Sequence, residues 1–242
     1  MISDPIFWLL AVTGVVITGV SKSGFAGGAG VVAVPLLSFK IGVLEATAIT
    51  LPLLLVMDAK TVRYYWRDIQ WPELKALIPG AIFGIVLGGL FMGLISDRAL
   101  LMLLGVTSIL FASWSKLQSV LAQFKGARVF WSSTAGLSST LVHAGGPPIN
   151  IYFISRNLPK LEWLATAGAF FAAMNVIKLV PYSLNGQWSV SSMWLTLALL
   201  PAAYGGVWLG KRIQTKLSEQ DFMRFCKALL FATGTALIIK SF

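Results

Sequence analysis

Residues 72–95 read PELKALIPGAIFGIVLGGLFMGLI, and after Lys75 no charged side chain interrupts the stretch. A helix of about 20 residues crosses the hydrocarbon core of a bilayer, so this stretch fits a full membrane crossing. The rest of the chain agrees with it. Hydrophobic residues make up 57% of the 242 positions and charged residues 12%, with a mean hydropathy of +0.80. Soluble domains carry about 25% charged residues, and a folded chain of this size still exposes a large share of its apolar surface. The solvent for most of this chain is therefore lipid. Apolar segments recur at 6–22, 30–39, 43–58, 99–114, 129–142, 145–155, 161–184, 190–210 and 222–239. They are read as helices, because exposed backbone groups go unpaired in lipid and the ten-residue alternation of a membrane barrel is missing.

The net charge of +10 does not point to nucleic acid, because the basic residues sit in short clusters between apolar runs instead of along one face. Cys226 and His143 are the single cysteine and histidine. That inventory excludes an intrachain disulfide and a Cys or His metal site. It also offers no convincing catalytic constellation, so no enzyme, metal or cofactor is expected. The opening MISDPIFWLL has an acid and no basic residue, and its apolar segment is expected to remain in the mature protein.

The two halves resemble each other. A shift of 117 lays Gly19 on Gly136, Gly28 on Gly145, Leu44-Glu45 on Leu161-Glu162, Asp58 on Asn175 and Trp71 on Trp188. After a five-residue insertion, a shift of 122 lays Pro79 on Pro201, Gly84 on Gly206, Gly88 on Gly210 and Ser96-Asp97 on Ser218-Glu219. An ordered series of this kind marks an internal repeat of about 120 residues. The expected organisation is a first membrane repeat at 1–114, a polar cytoplasmic linker at 115–128 and a second membrane repeat at 129–242.

Charge then sets the topology. If each pair of short segments forms a hairpin, the loops near 60–67, 115–128, 156–160 and 211–216 share one face. With the adjoining helix ends, that face gathers fourteen of the nineteen basic residues, which makes it cytoplasmic. Each half then holds three full transmembrane helices besides its broken-helix hairpin, an odd number. The expected fold is an all-α polytopic membrane protein of two inverted-topology repeats, with both termini periplasmic. Inverted repeats with broken helices are a recurrent plan of secondary transporters.

The breaks fall at Lys22-Ser23-Gly24-Phe25-Ala26-Gly27-Gly28-Ala29-Gly30 and at His143-Ala144-Gly145-Gly146-Pro147-Pro148. Glycine runs disfavour a helix interior, while proline suits a first helical turn. Each stretch therefore reads as a helix end, an unwound tip and a new helix start. Inside a membrane such backbone is tolerated where it lines a cavity. The free N–H groups of a new helix start favour an anion.

The glycine-rich GFAGGAGVVAVPLL at Gly24–Leu37 and AGGPPINIYFI at Ala144–Ile154 resemble the TauE/SafE family of sulfite and organosulfonate exporters. The likeness runs through both halves of the chain, except that Ala29 replaces the middle of the usual triple glycine. It implies a bacterial inner-membrane carrier for a small sulfur-containing anion such as sulfite or sulfoacetate, working by alternating access. A homodimer is compatible with it. A passive anion channel and an uptake carrier for a related sulfur compound stay open as alternatives.

The expected substrate site gathers Lys22, Ser23, Gly24, Gly27, Gly28 and Gly30 at the first tip, and Ser139, His143, Gly145, Gly146 and Pro147 at the second. Asn150 and Asn175 join them from the following helices. Each has a plainer reading. Lys22 either faces the anion or reaches the cytoplasmic interface, and His143 either serves the anion or bonds a nearby carbonyl as neutral imidazole. Asn150 and Asn175 serve equally as glue between helices. Lys178, on the face of Asn175, is read as reaching outward to the periplasmic surface. Ser138 and Thr140, like Ser139, either line the path or bond their own backbone, as hydroxyls in such helices more often do. Glu45 and Glu162, near helix starts, favour the helix dipole. Trp66, Trp71, Trp114, Trp131 and Trp188 read as interfacial anchors. Gly80, Gly84, Gly88 and Gly89 read as close helix packing.

Overall fold

The computed structural model describes residues 4–25, 32–113, 124–154, 156, 158–214, 216 and 218–242. Among the described residues the regular structure is all helical: α1 Pro5–Gly24, α2 Ala33–Leu37, α3 Val43–Tyr65, α4 Trp71–Met92, α5 Asp97–Ser113, α6 Ala127–Val142, α7 Gly146–Ile154, α8 Lys160–Leu184, α9 Val190–Ile213 and α10 Glu219–Lys240, with one 3₁₀ turn at Trp66–Asp68. Helices α1, α4, α8 and α9 are long and apolar enough to cross a membrane. Large apolar side chains such as Leu9, Phe83, Leu90, Val180 and Trp194 point outward from them, as lipid-facing surfaces should.

Local chemistry sets several boundaries. Asp4 caps α1 by accepting from the Ile6 N–H at 2.9 Å, and Pro5 fills the first turn, where no donor is needed. Helix α6 ends in a tight motif. The N–H of His143 reaches Ser139 O at 3.1 Å and that of Ala144 reaches Ser138 O at 3.2 Å, with His143 left-handed at φ 54° and ψ 23°. Glycine usually takes this position. Two elements outrun their apolar segments: α3 continues to Tyr65 beyond Asp58, and α6 begins at Ala127, inside the stretch read as linker. Of that linker residues 124–128 are described, and the last two are helical.

Glycines set how closely the helices cross. A Cβ on Gly84 of α4 would fall on the Ser133 carbonyl oxygen of α6, and one on Gly88 would lie 2.7 Å from Thr140 Cβ. On the other side, a Cβ on Gly206 of α9 would lie 2.7 Å from Val16 O of α1, and one on Gly210 would lie 2.6 Å from Val20 O. Lipid supplies no hydrophobic force between helices, so close van der Waals approach along small residues holds them instead. Gly89 packs the same way on Pro181 of α8. Helices α3 and α8 pack on each other, as do α5 and α10. Trp131 departs from its expected place. It is buried, where α6 packs on α4 and α7.

Candidate functional site

Four helices bring polar side chains together inside this apolar frame. Lys22 stands in the last turn of α1, Asp58 in the middle of α3, Ser139 and His143 at the end of α6, and Asn175 and Lys178 one turn apart on α8. All six are buried. Lys22 is ion-paired with Asp58, and its ammonium lies 5.1 Å from the centroid of the Phe171 ring. The other carboxylate oxygen of Asp58 accepts from Asn175 Nδ2 at 2.5 Å. Lys178 Nζ points to Ser139 O at 3.2 Å, Ser139 Oγ at 3.0 Å and His143 Nδ1 at 3.1 Å. Across the imidazole, Nε2 lies 3.1 Å from the Thr47 carbonyl oxygen of α3. Tyr182 stacks on that ring and donates to Thr140 O at 2.8 Å.

Between these groups lies a small cavity lined by Lys22, Ser139, His143, Gly146 and Asn175, with Leu54 and Phe171 as its apolar wall. Its volume is about 20 Å³, against roughly 10–15 Å³ for one water. Hydrogen-bond capacity remains on its wall. Lys22 uses one of three N–H donors on Asp58, Asn175 one of two, and the Ser139 hydroxyl accepts from Lys178 while keeping its own proton. The wall is thus rich in donors, which suits an oxyanion.

Five of the expected site residues therefore meet at one cavity: Lys22, Ser139, His143, Gly146 and Asn175. The others go elsewhere. Ser23 Oγ donates to Val207 O at 2.7 Å, and Gly24 abuts α9, where a Cβ would lie 2.9 Å from Gly210 O. Gly145 packs on α6, with a Cβ 2.8 Å from Ser139 Cβ. Pro147 lines a second, apolar cavity of about 390 Å³ between α5, α6 and α7. Asn150 is buried in α7, its Oδ1 without a hydrogen-bond partner. Gly27, Gly28 and Gly30 lie outside the described residues, as does Trp114. At the second tip Pro147 and Pro148 have no N–H to give, and among the described residues Lys22, Ser139 and Asn175 bring side-chain donors to the cavity.

One reading changes. Lys178 does not reach outward; it is fully buried, and three acceptors converge on its ammonium inside the bundle. The interior also holds a second acid. Besides Asp58, Glu73 is buried; it accepts from Tyr152 and pairs with Arg156 at 3.0 Å. Ser138 and Thr140 do bond their own helix backbone, at 2.7 Å to Thr134 O and 2.8 Å to Gly136 O.

An all-helical membrane bundle with a donor-lined polar cavity fits a solute carrier or a channel. The sequence pattern of the "Sulfite exporter TauE/SafE" family matches residues 10–237. This chain belongs to that family and is a membrane transporter of the sulfite exporter type. It is 26% identical over 182 residues to the "Probable inner membrane transporter protein TsaS" of Comamonas testosteroni, which covers 71% of this chain and 74% of the relative. No solved structure matches the chain.

Proposed function

We propose that this protein is an inner-membrane secondary exporter of a small sulfur-containing anion of the sulfite or organosulfonate class. The anion is held in the Lys22–Asn175 cavity and carried by alternating access of two inverted repeats. The observation that carries this reading is a buried lysine without an acid partner. Lys22 and Asp58 cancel, whereas among the described residues no carboxylate lies within salt-bridge reach of Lys178. Buried charge is costly unless paired, and an anion in the adjacent cavity supplies the partner. The inside-negative potential would assist its exit by about 2.3 kcal/mol per charge per 100 mV. A cavity of one water's size admits a sulfonate group only after side chains at its wall move, which suits an occluded stage of a transport cycle.

Several contacts support inverted repeats. Asp58 and Asn175, equivalent by the 117-residue shift, bond to each other. Thr61 of α3 meets Gly168 of α8, so from residue 58 to 61 the partner runs backward, and the equivalent helices α3 and α8 are antiparallel. Helices α5 and α10 are antiparallel too, since Gly105 meets Ile238 and Gly234 meets Ile109. The crossings also repeat: Gly84 meets Ser133 as Gly206 meets Val16, and Gly88 meets Thr140 as Gly210 meets Ser23.

Lys178→Met is expected to weaken methanesulfonate binding several-fold in purified, folded protein, measured by calorimetry, since it removes a buried cation that stands next to the cavity behind Ser139 and His143. Unchanged affinity would reject the site. Counter-flow of labelled sulfite in liposomes separates a carrier from a channel. For topology, single cysteines replacing Phe124 and Phe242 in a Cys226→Ser background test orientation. The outside-facing reagent should label residue 242 and not residue 124, and the reverse result would invert the assignment.

A further inference from the structure

Lys178 and His143 form a pair with an unusual donor arrangement. Nζ and Nδ1 lie 3.1 Å apart, and each nitrogen can donate or accept, depending on where a proton sits. Both ring nitrogens also face carbonyl oxygens, which only accept: Ser139 O lies 2.9 Å from Nδ1 and Thr47 O lies 3.1 Å from Nε2. Neutral imidazole carries one N–H, and Nε2 needs it for Thr47 O. Nδ1 is then the acceptor for the Lys178 ammonium, and the pair holds one positive charge. The ring is nevertheless built for a second proton, because Ser139 O stands ready to accept from Nδ1–H. Two cations at 3.1 Å repel strongly at low dielectric, so that proton stays only when negative charge arrives beside it.

The surroundings fix how much negative charge the site takes. About the ring stand Lys22 of α1 across the cavity and Lys178 and Tyr182 of α8, while Asp58 of α3 is held on Lys22 and Asn175. On α4 and α7, which also touch α6, Glu73 and Tyr152 bond each other, Arg156 and Arg128. On α5, Asp97 and Arg98 are exposed. With His143 neutral, Lys22, Asp58 and Lys178 sum to +1, which one monoanion cancels. A dianion leaves the site at −1 until one more proton enters.

Resting on the anion-carrier reading, we propose that the His143–Lys178 pair is a proton-loading site, so that a dianion binds together with one proton from solution while a monoanion binds alone. The backbone pins the ring for this role. His143 occupies the left-handed region, where non-glycine residues are strained and such strain is retained chiefly at functional sites.

The test uses the purified full chain with two probes, sulfate as the dianion and methanesulfonate as the monoanion. Calorimetry in buffers of different ionisation enthalpy gives affinity and protons bound. Sulfate should take up about one proton and lose about tenfold in affinity per pH unit over roughly pH 6 to 8, because the bound state holds the extra proton. Methanesulfonate should take up none and show a flat profile. His143→Gln keeps a donor toward Thr47 O but cannot load a proton, so sulfate binding to it should lose its proton uptake and pH slope. Sulfate binding without proton uptake in the natural protein, or the same uptake with both anions, overturns this inference and leaves the carrier reading standing. Failure of both anions to bind overturns the carrier reading and this inference with it.

Discussion

Asp58→Ala is expected to leave little folded protein, whereas the double variant Lys22→Met with Asp58→Ala recovers most of it. Asp58 is 1% exposed and Lys22 6%, so removing the carboxylate strands an ammonium inside the bundle beside the equally buried Lys178. Breaking a buried pair from one side costs about 3–5 kcal/mol, while replacing both partners with apolar groups is often near neutral. The single variant also takes away the acceptor of Asn175 Nδ2. Monodisperse yield on size exclusion in detergent, with melting temperature as a second readout, checks this. If the single variant melted with the natural protein, the Lys22–Asp58 pair would carry no part of the structure's stability.

Gly84→Val is expected to abolish the folded bundle, and Gly205→Ala to leave it unchanged. At Gly84 the added Cβ falls on the Ser133 carbonyl oxygen and lies 2.8 Å from Leu137 N. Both are backbone atoms of α6, so no rotamer change relieves them and the two helices must separate along the whole crossing. Overpacking a tight core costs about 1–3 kcal/mol and more when the backbone must shift. Gly205 of α9, beside Gly206 in the chain, has nothing within 4 Å of a built Cβ. The pair thus separates crossing geometry from helix propensity, which alone would favour alanine over glycine. Protease resistance of membrane-inserted protein is the measurement, and survival of Gly84→Val would place the α4–α6 crossing elsewhere.

Much of the frame was legible in the chain. Stretches such as 72–95 leave lipid as the only solvent, and lipid leaves helices as the economical way to pair the backbone. The tip at His143–Pro148 was legible because glycine and proline act locally: they end one helix and start the next whatever surrounds them. The glycines at 80, 84, 88 and 89 signalled close crossing for the same reason, since a missing Cβ has few other uses in a membrane helix.

The centre of the site was not legible. Asp58 closes an apolar run, so it looks like a helix end near water; α3 instead continues to Tyr65 and places the carboxylate amid the bundle. Lys178 resembles a snorkelling lysine because its helix has only six more residues, yet it is fully buried. Periodicity and local propensity determine which segments are helical and where they break, because those depend on neighbours in sequence. Which buried charge meets which partner depends on contacts such as Lys22–Asp58 and His143–Lys178, separated by 36 and 35 residues. Only the packed helices bring those groups within reach, and only there does low dielectric make their pairing decisive.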